Sequence, residues 1–546
     1  MAQQGEAASY YTGGAPQQPQ DAYYQGQKYG PPQQQSGQQQ YTQQPPQYGQ
    51  NYAPPQGPPP QNNGYAQQSY GDNKQGFEQT FKIAKPKFND WWAGLLFIAV
   101  FLGYVAVSAI SIRGYSQQNT GGIYGNANQF ALNSNTVILF AFVLGMATIL
   151  SYAYMWAARA FTKQFIWITG ILNILFGFVT AIYMLSRKYW SGGIVMLIFS
   201  VFAAFCFYSW IPRIPFSVLM LQTAIDVSKK YGHTYVVSLI GGLLAAALGA
   251  WYSVTLVAIY VQYTPNQNNS SCSNGAGNCS NGKVIGLIAF VTFAMYWISE
   301  YVTSTLSEWL KNTIHTIISG VFGSWYFNPN SPPKGATRGA AKRALTYSFG
   351  SISLGSLLVA IIQFLRQLCS AAQQNAASDG NIVGSILFCV LGCLISILNW
   401  AVEFLNRYAF SYIALYGKSY IAAAKDIWRL IKDRGIDALI NECLIGPVLT
   451  MGSTFVAYAC ALLAYLYLIF TSPAYNSDGG YTPVVVAFAF LIGLQICNIF
   501  TTPLSSGIDT LFVAMAYDPE VLIREHPDLY RRMIAVYPHV QQAIHA

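Results

Sequence analysis

The chain has 546 residues, 53% hydrophobic and only 9% charged, with a formal net charge of +9. Charged residues approach a quarter of an ordinary soluble domain, so the composition argues against a soluble multi-domain enzyme. The basic residues are scattered through short segments between apolar runs rather than gathered on one face, which argues against a nucleic-acid partner and for membrane topology.

Residues 1–80 are dominated by Gln, Pro, Tyr and Gly, with almost no aliphatic side chains. Such a segment buries too little apolar surface to offset its ordering entropy, which predicts a disordered tail. Within it, Pro45-Pro46-Gln47-Tyr48 fits Pro-Pro-x-Tyr, a ligand of WW domains, whose aromatic grooves accept polyproline II. It reads either as a docking site for a WW-domain ubiquitin ligase controlling surface turnover or as a chance match in a Pro/Gln/Tyr-rich tract. No cleavable signal peptide opens the chain. The first apolar run begins near Trp91, so that helix serves as the anchor.

A bilayer core takes about 20 apolar residues per helix. Ten runs qualify: 92–112, 136–158, 165–186, 190–210, 235–262, 284–306, 345–368, 381–403, 443–470 and 484–506. The expected fold is an all-α integral membrane protein of about ten transmembrane helices, with cytosolic amphipathic helices and the disordered N-terminal tail. With the tail inside, only Arg113, Arg187, Lys188, Lys283 and Arg366 of the 29 Lys and Arg face out. The balance survives removal of the tail's Lys28, Lys74, Lys82, Lys85 and Lys87, so the positive-inside rule places both termini in the cytosol. The loop 263–283 supplies a second signal, because it holds the glycosylation sequons at Asn268, Asn269 and Asn278 and the pair Cys272 and Cys279. Sequons and a short-range Cys272–Cys279 disulfide both require the outer face, where the charge pattern puts this loop. Two cytosolic connectors, 211–234 and 404–441, are amphipathic and are expected to lie as helices on the inner leaflet, apolar face down.

An ionisable group within a span is costly and marks a functional hypothesis. In the sixth span Phe293, Tyr296, Trp297, Glu300, Tyr301 and then Glu308 recur at helical spacing, placing two carboxylates and several rings on one stripe. Ring faces attract a quaternary ammonium, and a carboxylate adds charge without needing a hydrogen bond such a ligand cannot donate. The plainer alternative is an interfacial belt, with Glu308 paired to Lys311 or His315. In the tenth span Gln495, Asn498 and Thr501-Thr502-Pro503 form a polar stretch, followed by Asp509. It reads either as a helix interruption that binds solute or ion, with Pro447 in the ninth span as its companion, or as a Pro-kinked helix hydrogen-bonded to its neighbours. Glu403 and Arg407, four residues apart, are expected to form an ion pair within their helix. The nine cysteines form no zinc pattern, so no metal or cofactor is expected, and Cys389 and Cys393 read as small packing residues. No HExxH, Walker loop or G-x-G-x-x-G opening a βαβ unit is present, which argues against an enzyme.

Phe404–Asp426 reads FLNRYAFSYIALYGKSYIAAAKD, an apolar run ending in a polar, aromatic collar. Asn406, Arg407, Ala409, Ala414, Tyr416, Gly417 and Lys418 match the signature N-R-N-A-Y-x-x-x-A-x-Y-G-K of the choline transporter-like family (solute carrier family 44), while Tyr408 and Phe410 depart from it. Trp297 with Tyr301-Val302, the Ser319-Gly320 to Ser324-Trp325-Tyr326 run, and Arg343-Ala344-Leu345 followed by Gly350-Ser351 and Gly355-Ser356-Leu357 resemble the same family in the same order. The chain is similar to its fungal branch. The resemblance covers roughly 240–540 and divides the chain into the tail (1–80), spans one to four with their connector (81–234), the choline transporter-like region (235–514) and a C-terminal tail (515–546). It implies a plasma-membrane protein that moves choline or a related small organic cation by alternating access. The alternatives are a non-transporting scaffold whose tail recruits WW-domain partners, and a channel or lipid scramblase.

Overall fold

The computed structural model describes residues 81, 87–118, 134–265, 279–298, 308–330, 333–434, 445–473, 476 and 482–538. Among them every regular element is a helix. The first group is α1 (Trp91–Gln118), α2 (Ser134–Ala160), α3 (Thr162–Ser186), α4 (Trp190–Trp210), α5 (Ile214–Lys230) and α6 (His233–Tyr263). The second is α7 (Asn281–Ile298), α8 (Glu308–Phe327), α9 (Ala336–Leu345), α10 (Phe349–Ser378), α11 (Ile382–Tyr416) and α12 (Tyr420–Arg434). The chain finishes with α13 (Ile445–Thr471), α14 (Thr482–Tyr517), α15 (Pro519–Glu525) and α16 (Pro527–Val536).

Ten helical segments are long and apolar enough to cross a bilayer: α1 to α4, α6, α7, α10, α11, α13 and α14, the fourth continuing into α5. Their outward faces carry large apolar side chains, among them Leu102, Ile168, Phe199, Phe202, Ile386 and Leu394. Lipid rather than water solvates such a surface, so close packing and internal hydrogen bonds must hold the helices together.

The hub is α8, which packs against α6, α7, α9, α10, α11, α14 and α15. Its sequence suits that place, since EWLKNTIHTIISGVFGSWYF keeps small residues where backbones approach. A Cβ on Gly323 would stand 2.2 Å from a methyl of Leu415 on α11. A surface helix buries only one face, whereas α8 is buried at nearly every position, its polar side chains included.

Three sequence expectations change, and one pair of alternatives is decided. The helices on either side of residues 299–307 do not lie end to end as one rod, because α7 and α8 pack against each other. Collinear helices ten residues apart would be separated by about 15 Å. The collar 404–416 does not lie on the leaflet, since α11 continues unbroken to Tyr416 and is enclosed there by α8 and α14. The turn comes at Gly417, whose φ of 63° is the left-handed cap that favours glycine, and only α12 beyond it is a separate amphipathic helix. Likewise the apolar face of α5 is covered by α3, α14 and α16. Finally, α14 passes through Pro503 without a break. The hydroxyls of Thr501 and Thr502 turn back onto the carbonyl of Asn498, at 3.3 and 2.7 Å, which is the hydrogen-bonded alternative for this stretch. Pro447 is the third residue of α13, where a missing N–H costs nothing.

Candidate functional site

Trp297, near the end of α7, is 1% exposed, and its Nε1–H donates to the carbonyl of Ser353 at 3.0 Å. One turn along α10, Ser356 Oγ accepts from Asn312 Nδ2 at 2.9 Å, and the same amide reaches Glu308 Oε2 at 3.3 Å. Glu308 is 2% exposed and takes Lys311 Nζ at 3.3 Å. An indole from α7 and a buried carboxylate system from α8 therefore meet adjacent residues of one helical turn. Around them Phe97 stacks on Trp309 at 4.8 Å and meets Trp297 edge-on at 5.5 Å, and Phe293 lies 6.3 Å from Trp297. The Trp309 Nε1–H is buried without an acceptor among the described residues.

Of the expected stripe, Phe293, Tyr296 and Trp297 are brought to this cluster, whereas Glu300 and Tyr301 lie outside the described residues. Glu308 belongs to the cluster through α8 and is buried, with Lys311 as its cation, the pairing named in the plainer alternative. Gln495 and Asn498 are not brought there. The principal neighbours of α14 are α2, α5, α6, α8, α11, α12, α13 and α15, while α7 packs on α1, α6, α8 and α10. Gln495 is exposed, and Asn498 Nδ2 is buried without a partner among the described residues.

A second polar layer follows along α8. His315 faces Arg407 O at 2.8 Å and Ser411 Oγ at 2.9 Å through Nε2, and Ser506 Oγ at 3.0 Å through Nδ1. A carbonyl only accepts, so Nε2 carries the proton and Nδ1 accepts from Ser506. Burial is the main cause that lowers the imidazole pKa to about 3, with the charges of Arg407 and Lys311 adding to it against the carbonyl bond. Beside it Arg407 Nε stands 3.7 Å from Asp509 Oδ2, tying α11 to α14. Arg407 does not pair with Glu403, which accepts instead from Asn399 at 2.6 Å and Gln363 at 3.4 Å. The carboxylate is thus satisfied by amides, and the guanidinium reaches across to a neighbouring helix.

The signature closes this end of the bundle. Asn406 donates to Gly355 O at 3.2 Å and accepts from the Tyr420 hydroxyl. Burial pushes Tyr420 up to about 12, so it stays a donor. Ala409 is fully buried, and Arg343 Nη1 donates to Ala414 O at 3.0 Å. Tyr416 OH donates to Asp518 Oδ2 at 2.7 Å, while Tyr326 OH donates to Asp518 O at 2.9 Å. Burial raises the Tyr326 hydroxyl well above its usual range. Gly417 O accepts from Asn89 at 2.7 Å, and Lys418 Nζ lies 3.9 Å from Asp426. Phe410, one of the two departures from the family signature, fills space against Tyr420 with ring centroids 6.0 Å apart.

Sequence reasoning missed the His315–Ser411–Ser506 layer and the Asp509 partner of Arg407, since neither lies near its partners in the chain. It also missed Trp251, which donates to Ser108 at 2.6 Å between α6 and α1. Asn268, Asn269, Asn278, Cys272, Pro45, Pro46 and Tyr48 lie outside the described residues. Cys279 is disulfide-bonded.

Ten spanning segments around an interior of hydrogen-bonded polar side chains define a polytopic, transporter-like membrane protein. The model of the family described as plasma-membrane choline transporter matches residues 194–520. Protein PNS1 of Gibberella zeae is 62% identical over 557 residues, covering 99% of both chains. Protein PNS1 of Neurospora crassa is 63% identical, covering 91% of this chain and 88% of its own, and that of Saccharomyces cerevisiae 43% identical, covering 84% and 85%. The chain belongs to the plasma-membrane choline transporter family, and these relatives are fungal, as the signature and tail led us to expect.

Proposed function

We propose that the protein moves choline or a closely related quaternary ammonium ion across the plasma membrane by alternating access, with both termini in the cytosol and the 263–283 loop outside. The observation that carries this reading is the convergence of Trp297 and the Glu308–Asn312 pair on a single turn of α10, with Phe97, Phe293 and Trp309 around them. Rings and a carboxylate in a water-poor site suit a cation that donates no hydrogen bond from its charged end. The choline hydroxyl would supply the acceptor that Trp309 Nε1 lacks. Glu300 and Tyr301, which follow α7 directly, complete the proposed binding set with Phe293, Tyr296 and Trp297. Gln495 and Asn498 form a separate polar station on α14. The packing of α7 on α8 as two separate helices supports a site whose walls belong to different elements, as alternating access needs.

Binding of labelled choline to the purified protein in nanodiscs tests the site. A desolvated cation–π contact contributes about 2 kcal/mol, so Trp297→Ala should weaken binding about 30-fold. Glu300→Gln should weaken it at least as much. Unchanged affinity in both variants would remove these residues from the site.

A further inference from the structure

A cavity of about 500 Å³, well apart from the aromatic cluster, opens between the ends of α2 and α5 and the C-terminal helices α15 and α16. Its wall includes Arg159, Lys230, Trp325, His526 and Arg532 together with Asp226, Glu525 and Asp528. The acidic side chains are already engaged. Asp226 lies 3.6 Å from Arg159, Glu525 2.9 Å from Arg524, and Asp528 2.6 Å from Arg531. Lys230 Nζ donates to the carbonyl of Pro329 at 2.9 Å, which leaves its charge unneutralised. Arg532 forms no hydrogen bond or ion pair among the described residues and is exposed into the cavity. His526 is held neutral, since burial lowers its pKa and Nε2 is spent on Tyr326 O at 2.9 Å. The three carboxylates of the wall balance its three cations in number, but Glu525 and Asp528 are paired with Arg524 and Arg531 from outside it. Lys230 on α5 and Arg532 on α16 are thus left as the two cations without a paired carboxylate among the described residues. Both line a space in the size range of a small-ligand site.

We infer that this cavity binds a phosphate-bearing ligand of at least two negative charges, clamped between Lys230 and Arg532. Guanidinium takes phosphate oxygens in a two-point fork, and the ammonium adds a point charge. Such a ligand would fasten α16 to α5. It would also bear on Trp325 and His526, whose rings lie 4.3 Å apart and which connect to the Tyr326–Asp518 contact. The same chemistry is offered by a phosphorylated inositol lipid headgroup and by a free phosphorylated metabolite. The proposal is independent of what the transport site carries.

Thermal unfolding of the full-length protein distinguishes the sources. In one arm the soluble probe inositol 1,4,5-trisphosphate is titrated onto protein in phosphatidylcholine nanodiscs. In the other, nanodiscs with and without phosphatidylinositol 4,5-bisphosphate are compared. A midpoint rise in the first arm identifies a ligand that needs no membrane tether, and a rise in the second alone identifies a lipid. In either case the rise should disappear in Arg532→Glu, shrink in Lys230→Met and return in Arg532→Lys. Arg532 is exposed on its helix, so the charge reversal should leave the unliganded midpoint near wild type. No rise in either arm, or a rise equally large in Arg532→Glu, would overturn the proposal.

Discussion

Arg407 Nε lies 3.7 Å from Asp509 Oδ2, joining α11 to α14 inside the bundle, while Glu403, one turn before Arg407, is satisfied by amides. The carboxylate of Asp509 has little water to fall back on, so removing its cation leaves a charge in a poor solvent. Arg407→Met should cost roughly 1–3 kcal/mol, below the usual figure for a fully buried pair because Arg407 is half-exposed. The double variant Arg407→Met/Asp509→Asn should recover much of that loss. Thermal unfolding of the single and double variants in detergent checks the coupling, and additive losses would contradict it.

Gly350 stands where α10 begins, against the segment that leads into α1. A Cβ there would sit 2.2 Å from the carbonyl oxygen of Asp90, a backbone atom that cannot swing away. Asp90 itself is pinned, with Oδ2 accepting from Ser351 at 2.7 Å and from the Tyr420 amide at 2.8 Å. Gly350→Ala should therefore destabilise the fold by about 1–3 kcal/mol through overpacking, read as a lowered unfolding midpoint.

His315 and His526 are both buried as neutral rings, and both have lowered pKa values. The unfolded chain takes up protons near pH 6.5 while the folded protein still refuses them, so stability is full above that pH and falls as pH drops. For His315 the loss continues down to about pH 3. Unfolding midpoints measured from pH 7.5 to 5 should fall, and His526→Gln should flatten the slope. A midpoint that rises on acidification would contradict the neutral assignment.

Tyr416→Phe removes the donor to Asp518 and loosens the seat of α15 and α16. Hydrogen bonds to charged acceptors contribute about 1.5–3 kcal/mol, so the C-terminal segment should become more sensitive to limited proteolysis well before the bundle unfolds.

The ten spans were legible because the bilayer imposes one length and one polarity on every crossing helix. The family was legible from Asn406 to Lys418, where a short string carries many constraints at once. What could not be read locally was the packing of α7 against α8. Helical spacing places Glu308 on the stripe of Trp297 only if one rod continues, and the packing of α7 on α8 has no counterpart in that spacing. At Pro503 the residues alone left two readings open. The hydroxyls of Thr501 and Thr502 on the Asn498 carbonyl stabilise a helix that a proline alone suggests is broken. Arg407 shows the same limit, since its nearest acid in sequence is Glu403 and its partner in space is a hundred residues away.

Uptake of labelled choline into proteoliposomes of the purified protein tests the account most directly. Saturable uptake should occur with wild type and fall at least tenfold in both Trp297→Ala and Glu300→Gln, with protein of normal unfolding midpoint. Uptake that never saturates, or that is undiminished in both variants, would contradict an alternating-access choline site at the junction of α7 and α8.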